Sequence, residues 1–420
     1  MGPGLLAAVN QSSGRAAQWA AIALGFSIPI STALDNLLLI VLLAGWLASG
    51  AWREKWDVVH ANRVALAALV LYALLLAGTL YGAATPGDAR VTLGKYLDLL
   101  WIPVLAWLFR EAAARRRALY ALAVSLALVL LTSFLLMADL LPHASIIKGD
   151  SVAPFVMKTR QTHGVLMAFG AFLFLQLAVA AAAPRMRILW SVLALLAVAN
   201  ATLVVPGATG YIVLGTLALY IGYVWKGWRG IAVATGAVAG AVAVLMTVPG
   251  PFQERVLRIE SETRRWQPGI AEDGSSAGQR IEFYRVSVQI VKDRPLLGHG
   301  TGSFTIAYAE KMKGQQAMLT RNPHNEYLHW MVQLGLAGLA GLLYLFWTHW
   351  RLAPSLASPL ERQLARGLIL AMAVGCLFNS WLLDHTEGLL YAWLTGLLFA
   401  GLPSSGGREG SIEGRASAPA

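Results

Sequence analysis

The sequence predicts an all-α polytopic membrane protein of about twelve transmembrane helices, with one large helical loop on the outer face between the ninth and tenth. Three observations carry that expectation. Of the 420 residues, 57% are hydrophobic and 13% charged, whereas about a quarter are charged in an ordinary soluble domain. Apolar stretches such as Ala118 to Leu141 and Ile231 to Val248 approach or reach the roughly 20 residues that cross about 30 Å of hydrocarbon. The cations, moreover, alternate between rich and poor connections. An ordinary soluble enzyme is thereby excluded. The net charge of +11 would suggest nucleic acid on a soluble chain, but here it points to loop orientation and anionic lipid. The single cysteine, Cys376, lies in an apolar stretch and rules out an intramolecular disulfide or a cysteine-based metal site.

Taken in order, the expected spans start near residues 16, 32, 63, 92, 118, 163, 187, 209, 229, 325, 362 and 386, the first, fourth, eighth and twelfth being marginal in length. One set of connections carries Arg53, Lys55 and Arg63, then Arg110 and Arg115 to Arg117, Arg185 and Arg187, Lys226 and Arg229, and Arg351, Arg362 and Arg366; with Arg15, Arg408 and Arg415 that side holds 17 cations. The short connections of the other side hold Arg90, Lys95, Lys148, Lys158 and Arg160. An excess of Lys and Arg marks the cytoplasmic face, so both termini are expected inside. No secretory signal with a small-residue cleavage site stands at the start, and the first span is expected to remain as an anchor.

Residues 249–325 are too long for a plain connection. Phe252, Val256, Ile259 and Trp266 recur at helical spacing, as do Ile281, Tyr284, Val288 and Val291, before Pro295, Gly298, Gly300 and Gly302 break the pattern. Two amphipathic helices lying over the membrane, then a glycine-rich turn, are expected. The chain therefore divides into spans one to nine (1–248), the outer loop (249–325), spans ten to twelve (326–402) and a disordered cytoplasmic tail (403–420). Within that tail, Ile412-Glu413-Gly414-Arg415 looks like the protease-site scar of an expression tag.

Chemistry-bearing residues gather on the outer face. Asn322 can cap a helix starting at Pro323, which would put His324 in the first turn. Free backbone N–H groups there favour a neutral imidazole, as a general base requires, and attract anions. The plainer reading is an interfacial residue that anchors the helix end, and Asn325, Glu326 and His329 beside it weigh against that reading. Arg160, Arg264, Arg265, Arg280, Arg285, Arg294 and Arg321 supply guanidinium forks that match phosphate oxygens; three or four converging on a pyrophosphate would hold it and stabilise the charge that develops as it leaves. A solvated basic lid is the alternative. Lys158 and His163, flanking Arg160, form a second wall of the anion site or only snorkel. Asp384 and His385, in the last outer turn, orient a substrate hydroxyl or simply bond the turn. Asp35 lines the cavity or starts a helix. Phosphate-loop, zinc-ligand and Asp-x-Asp patterns are all absent, so neither a metal nor another cofactor is expected.

Three stretches resemble, in order, the O-antigen ligase family: Gly278-Gln279-Arg280-Ile281-Glu282-Phe283-Tyr284, the run from Arg294-Pro295-Leu296-Leu297-Gly298-His299-Gly300 to Phe304, and Pro323-His324-Asn325-Glu326-Tyr327-Leu328 followed by Gly335-Leu336-Ala337-Gly338. The resemblance extends to the wider group that shares a ligase/polymerase domain with O-linking oligosaccharyltransferases and O-antigen polymerases. It implies a GT-C-like periplasmic glycosyltransferase of the Gram-negative inner membrane. Such an enzyme moves O-antigen polysaccharide from undecaprenyl pyrophosphate to a sugar hydroxyl of lipid A–core by metal-independent inverting transfer. By position, the resemblance makes His324 the catalytic histidine and Arg160, Arg265 and Arg280, with Lys158, the pyrophosphate holders. Asn325, Glu326, Arg285, Arg321, His163, Asp384 and His385 then support them. The implied partners are the lipid-linked donor, the lipid A–core acceptor and membrane lipids, not nucleic acid. Absence of a large outer domain after the last span departs from the O-linking oligosaccharyltransferases. Two other readings stay open: an O-antigen polymerase using the same donor, and a flippase or exporter of lipid-linked glycan. Against the latter, transporters place charges near the bilayer midplane rather than on one face.

Overall fold

The computed structural model describes residues 3–141, 147–270, 275–315 and 318–402; the expected tail with its scar, and with Arg408 and Arg415, lies outside them. Among the described residues every regular element is helical. The chain opens with α1 (Pro3–Ser27), α2 (Thr32–Ala48), α3 (Trp52–Ala61), α4 (Arg63–Gly78), α5 (Pro86–Lys95), α6 (Asp98–Leu108) and α7 (Ala112–Met137). It continues through α8 (Arg160–Ala180), α9 (Pro184–Ala199) and α10 (Ala208–Thr247). Next come α11 (Pro251–Arg265), α12 (Ser276–Asp293) and α13 (Phe304–Lys311), then α14 (Glu326–Leu352), α15 (Pro359–Gly375) and α16 (His385–Phe399).

Six helical stretches are long and apolar enough to cross a membrane, or seven if α2 and α3, bent by 114° at their junction, make one span. A membrane protein fits this count. Helices also stand at the other places where spans are expected, but α4, α15 and α16 have 16, 17 and 15 residues. At 1.5 Å per residue they rise about 23 to 26 Å, short of a 30 Å core. The single element α10 holds two expected spans. Its helical angles fail at Lys226 and Gly227, and a Cβ on Gly222 would lie 2.5 Å from the Gly230 carbonyl oxygen. Residues eight apart in a straight helix are about 12 Å apart, so the two arms fold back on each other. The centre of the bundle is α8 and α16; all of α16 from Thr386 to Phe399 is buried. Trp393 of α16 donates from its indole to the Ala21 carbonyl of α1 at 2.8 Å.

The long segment carries the two expected helices, α11 and α12, and a third, α13, that the spacing did not announce. The buried face of α12 is also turned by one residue: Phe283, Val286 and Ile290 pack with Phe304, Tyr308 and Val332, while Val288 is exposed. The glycine-rich stretch then repairs a break in α14. At Gly335 (φ 60°, ψ −150°) the helix opens, a conformation essentially confined to glycine. His299 and Gly300 donate to the freed carbonyls of Val332 and Gln333 at 2.9 and 2.8 Å. In exchange, the N–H groups of Leu336 and Ala337 take the carbonyls of Pro295 and Leu296. A side chain at Gly298 would strike the Gln333 carbonyl at 2.5 Å. Loop and broken helix thus satisfy each other's backbone, as buried N–H and carbonyl groups require.

Candidate functional site

The structure moves His324 out of the helix. Asn325, not Asn322, is the N-cap of α14, its side chain accepting from the Leu328 N–H at 3.0 Å. His324 precedes the cap in the left-handed region (φ 53°), and its N–H goes to the Asn322 side chain at 2.8 Å. Asn322 forms this turn because a short carboxamide reaches the backbone two residues on. Tyr284 donates its hydroxyl between the carbonyls of His324 and Leu377, at 3.0 and 2.8 Å. Asn325 also donates to Leu377 at 3.0 Å. The unusual backbone is therefore held from both α12 and the turn after α15.

That turn supplies the group on which the imidazole rests. Nδ1 of His324 lies 2.7 Å from the Asn379 side-chain oxygen, and the Asn379 amide donates to Asp384 at 2.6 Å. An ionised carboxylate only accepts, which fixes the Asn379 amide with its oxygen toward the ring. Nδ1 must then carry the proton, leaving the Nε2 lone pair with no protein hydrogen-bond partner among the described residues. Asp384 is the residue before α16 but makes no capping bond; its carboxylate is spent on Asn379. Burial lowers the His324 pKa below the ordinary histidine value; the Asn379 bond opposes this, Arg280 adds to it and Asp384 opposes it. Burial raises that of Asp384, against the opposing charges of His324 and Lys95 and the Asn379 bond.

Along α12, Arg280, Phe283 and Tyr284 share the face that meets His324. Phe283 stacks on its ring at 5.9 Å between centroids and 24°. Arg280 is mostly buried, and burial depresses its pKa. Arg255 of α11 joins it: burial again lowers the pKa, Glu262 opposes, and Arg280 and Arg160 push the same way as burial. Arg160, first residue of α8, also acts with Arg255 on Tyr211 of α10, whose ring meets Phe252 at 4.8 Å. Arg255 thus lies in the fields of guanidinium groups from two other helices, Arg280 and Arg160, with Glu262 as the neighbouring carboxylate, itself accepting from the Ala277 N–H at 2.7 Å. Like charges gathered in partly buried surroundings are unfavourable unless an anion completes them. Among the described residues no three His, Cys, Asp or Glu side chains are placed to hold a metal ion.

The other expected residues have surroundings of their own. Lys158 is buried with its amine 3.1 Å from Thr32 and 3.8 Å from Asp35, and burial lowers its pKa. His385 meets the same Asp35 carboxylate at 3.2 Å. These three join α2, the approach to α8 and α16 behind Asp384. His163 bonds Asn200 at 2.9 Å and accepts from the Val156 N–H, which tethers the start of α8 to its approach. Glu326 is clasped by Tyr96, Trp330 and the Leu382 N–H, and Arg285 by Glu282 at 2.6 Å. Arg321 is exposed before the turn, and Arg265 is exposed in the last turn of α11. Sequence reasoning missed Asn379 and Arg255. The polar pair Asn379-Ser380 between apolar runs was a signal for the first. The seven-residue spacing of Arg255 and Glu262, which puts them on one helix face, was a signal for the second.

Residues 207–343 match the family model described as O-Antigen ligase, an interval from α10 through Arg255, Arg280 and His324 into the second half of α14. Arg160, Asn379 and Asp384 lie outside it. No curated protein matches the chain.

Proposed function

We propose, from the match of residues 207–343 to the O-antigen ligase family model, that this membrane protein is an O-antigen ligase. It transfers O-antigen polysaccharide from undecaprenyl pyrophosphate to a sugar hydroxyl of lipid A–core, in the inner membrane with both termini cytoplasmic and the site on the periplasmic face. The observation that supports this most is the oriented, neutral His324, whose Nε2 has no protein partner among the described residues, in the field of Arg280, which with Arg160 acts in turn on Arg255. Nε2 takes the proton of the acceptor hydroxyl as its oxygen bonds to the anomeric carbon. The bond from that carbon to the pyrophosphate oxygen breaks on the opposite side, inverting the centre, and the electron pair leaves with the lipid pyrophosphate. Arginine donors meet the charge that appears there. The imidazolium is stabilised through Asn379 by Asp384 and then releases its proton to water.

His324→Ala should lower transfer by about 10²- to 10⁴-fold, the usual worth of a general base, while binding of the lipid pyrophosphate stays near wild type. Arg280→Lys should weaken transfer as well, because an ammonium does not reproduce a planar fork. Product formation from purified donor and acceptor by folded protein measures both; wild-type transfer by His324→Ala would refute the base assignment. The matched domain family also includes polymerases, for which a second lipid-linked glycan is the acceptor. Offering both acceptors and identifying which becomes extended separates the two readings.

A further inference from the structure

A cavity of about 590 Å³ lies between the end of α4, the connection after it, α5 and Thr301 of the glycine-rich loop. We propose that it receives the saccharide portion of the acceptor and that Arg90 holds an anionic group, phosphate or carboxylate, on that saccharide. This rests on the transferase reading above and extends it to the second substrate.

The wall chemistry suits a polyhydroxylated anion. Tyr72, Thr79, Tyr81 and Thr301 line it, and each has committed its hydroxyl proton to a backbone carbonyl: Leu93, Leu76, Leu297 and Leu75, at 3.4, 2.7, 2.7 and 2.7 Å. Their oxygens remain as acceptors for sugar hydroxyls. Leu93, Leu97 and the tyrosine rings add apolar surface for the C–H faces of a pyranose. Arg90 is the cation of the lining, and no carboxylate pairs with it among the described residues; Asp88 is held by Thr85 at 2.6 Å. Arg90 can therefore meet an anion without breaking an ion pair.

Position favours the acceptor over the donor. The arginines beside His324 come from α8, α11 and α12, and none of these helices lines the cavity. The cavity's α5 wall reaches Gly94, and the charge of the next residue, Lys95, acts on Asp384, the carboxylate bonded to Asn379 beside His324. A sugar seated against α5 thus has a route to the imidazole from a wall that the donor arginines do not share.

Gly94 offers a clean test, since a Cβ there meets nothing within 4 Å; Gly94→Trp fills the cavity without displacing backbone. Binding of delipidated, phosphorylated lipopolysaccharide core oligosaccharide to the full chain in detergent is measured by calorimetry, apart from any turnover. Gly94→Trp should weaken it at least about tenfold with unchanged lipid-pyrophosphate binding. Arg90→Ala should weaken the phosphorylated oligosaccharide by a similar factor and leave the phosphatase-treated one unaffected, with Arg90→Lys partly restoring it. Unchanged oligosaccharide binding in folded Gly94→Trp overturns the site. Equal loss for both oligosaccharides in Arg90→Ala overturns the anion role. Absence of covalent product from wild type would instead strike the transferase reading, which this binding measurement does not assume.

Discussion

At the level of single residues, the titration of His324 is the sharpest consequence of the site. A base must be neutral, so kcat/KM should rise with pH through the His324 pKa and then level. Burial puts that limb below the ordinary histidine value of 6.5. Two charges oppose each other across the ring: Arg280 lowers its pKa and Asp384 raises it. Arg280→Gln removes a cation that disfavours the imidazolium and should move the limb to higher pH. Asp384→Asn removes an anion that favours it and should move the limb to lower pH. Rate profiles of the two variants, each beside wild type, test this; shifts of the same sign, or none, would remove His324 as the titrating base. His324 and Arg280 were legible in the sequence because each lies in a dense local pattern. Asn379 was not, because it meets His324 across 55 residues, and nothing in its own neighbourhood names the partner.

At the level of elements, the union of the glycine-rich loop with the broken α14 determines how the site is held. Four N–H to carbonyl bonds cross between the two segments, replacing those lost at the break. Gly335→Ala should therefore act on more than its own turn. Its backbone angles alone cost about 1 to 3 kcal/mol for a residue other than glycine, and its Cβ would lie 2.4 Å from the Leu296 carbonyl. Thermal unfolding in detergent should show destabilisation beyond that range, while Gly94→Trp, in open space, should unfold near wild type. A Gly335→Ala variant as stable as wild type would mean the break is not built into the fold. The sequence announced the glycines as punctuation but not this exchange. The run from Gly298 read as a turn and Gly335 as part of an unbroken span until the backbone brings them together. The first turn of α14 went astray for a similar reason: Asn322 and Asn325 are both good caps, and the choice fell to the segment that Tyr284 holds from α12.

For the whole molecule, composition made the helical membrane class legible, since 13% charge leaves little else. The number of crossings was less so, because α4, α15 and α16 are short and α10 doubles back. Hydrophobicity reports where helices lie, and length and apolarity together decide which of them can reach both surfaces. Orientation follows from a different physics, the bias of Lys and Arg toward the cytoplasm, and it can be tested directly because Cys376, the chain's one cysteine, is fully buried. Cysteines placed one at a time at Arg294, exposed between α12 and the glycine-rich loop, and at Trp228, 79% exposed at the fold-back of α10, sample the two expected faces. A membrane-impermeant maleimide added to intact cells with a permeabilised outer membrane should label Arg294→Cys and spare Trp228→Cys. Both should label after the inner membrane is opened. Labelling of position 228 alone in intact cells would reverse the topology and put His324 on the side where the proposed lipid-linked donor is not offered.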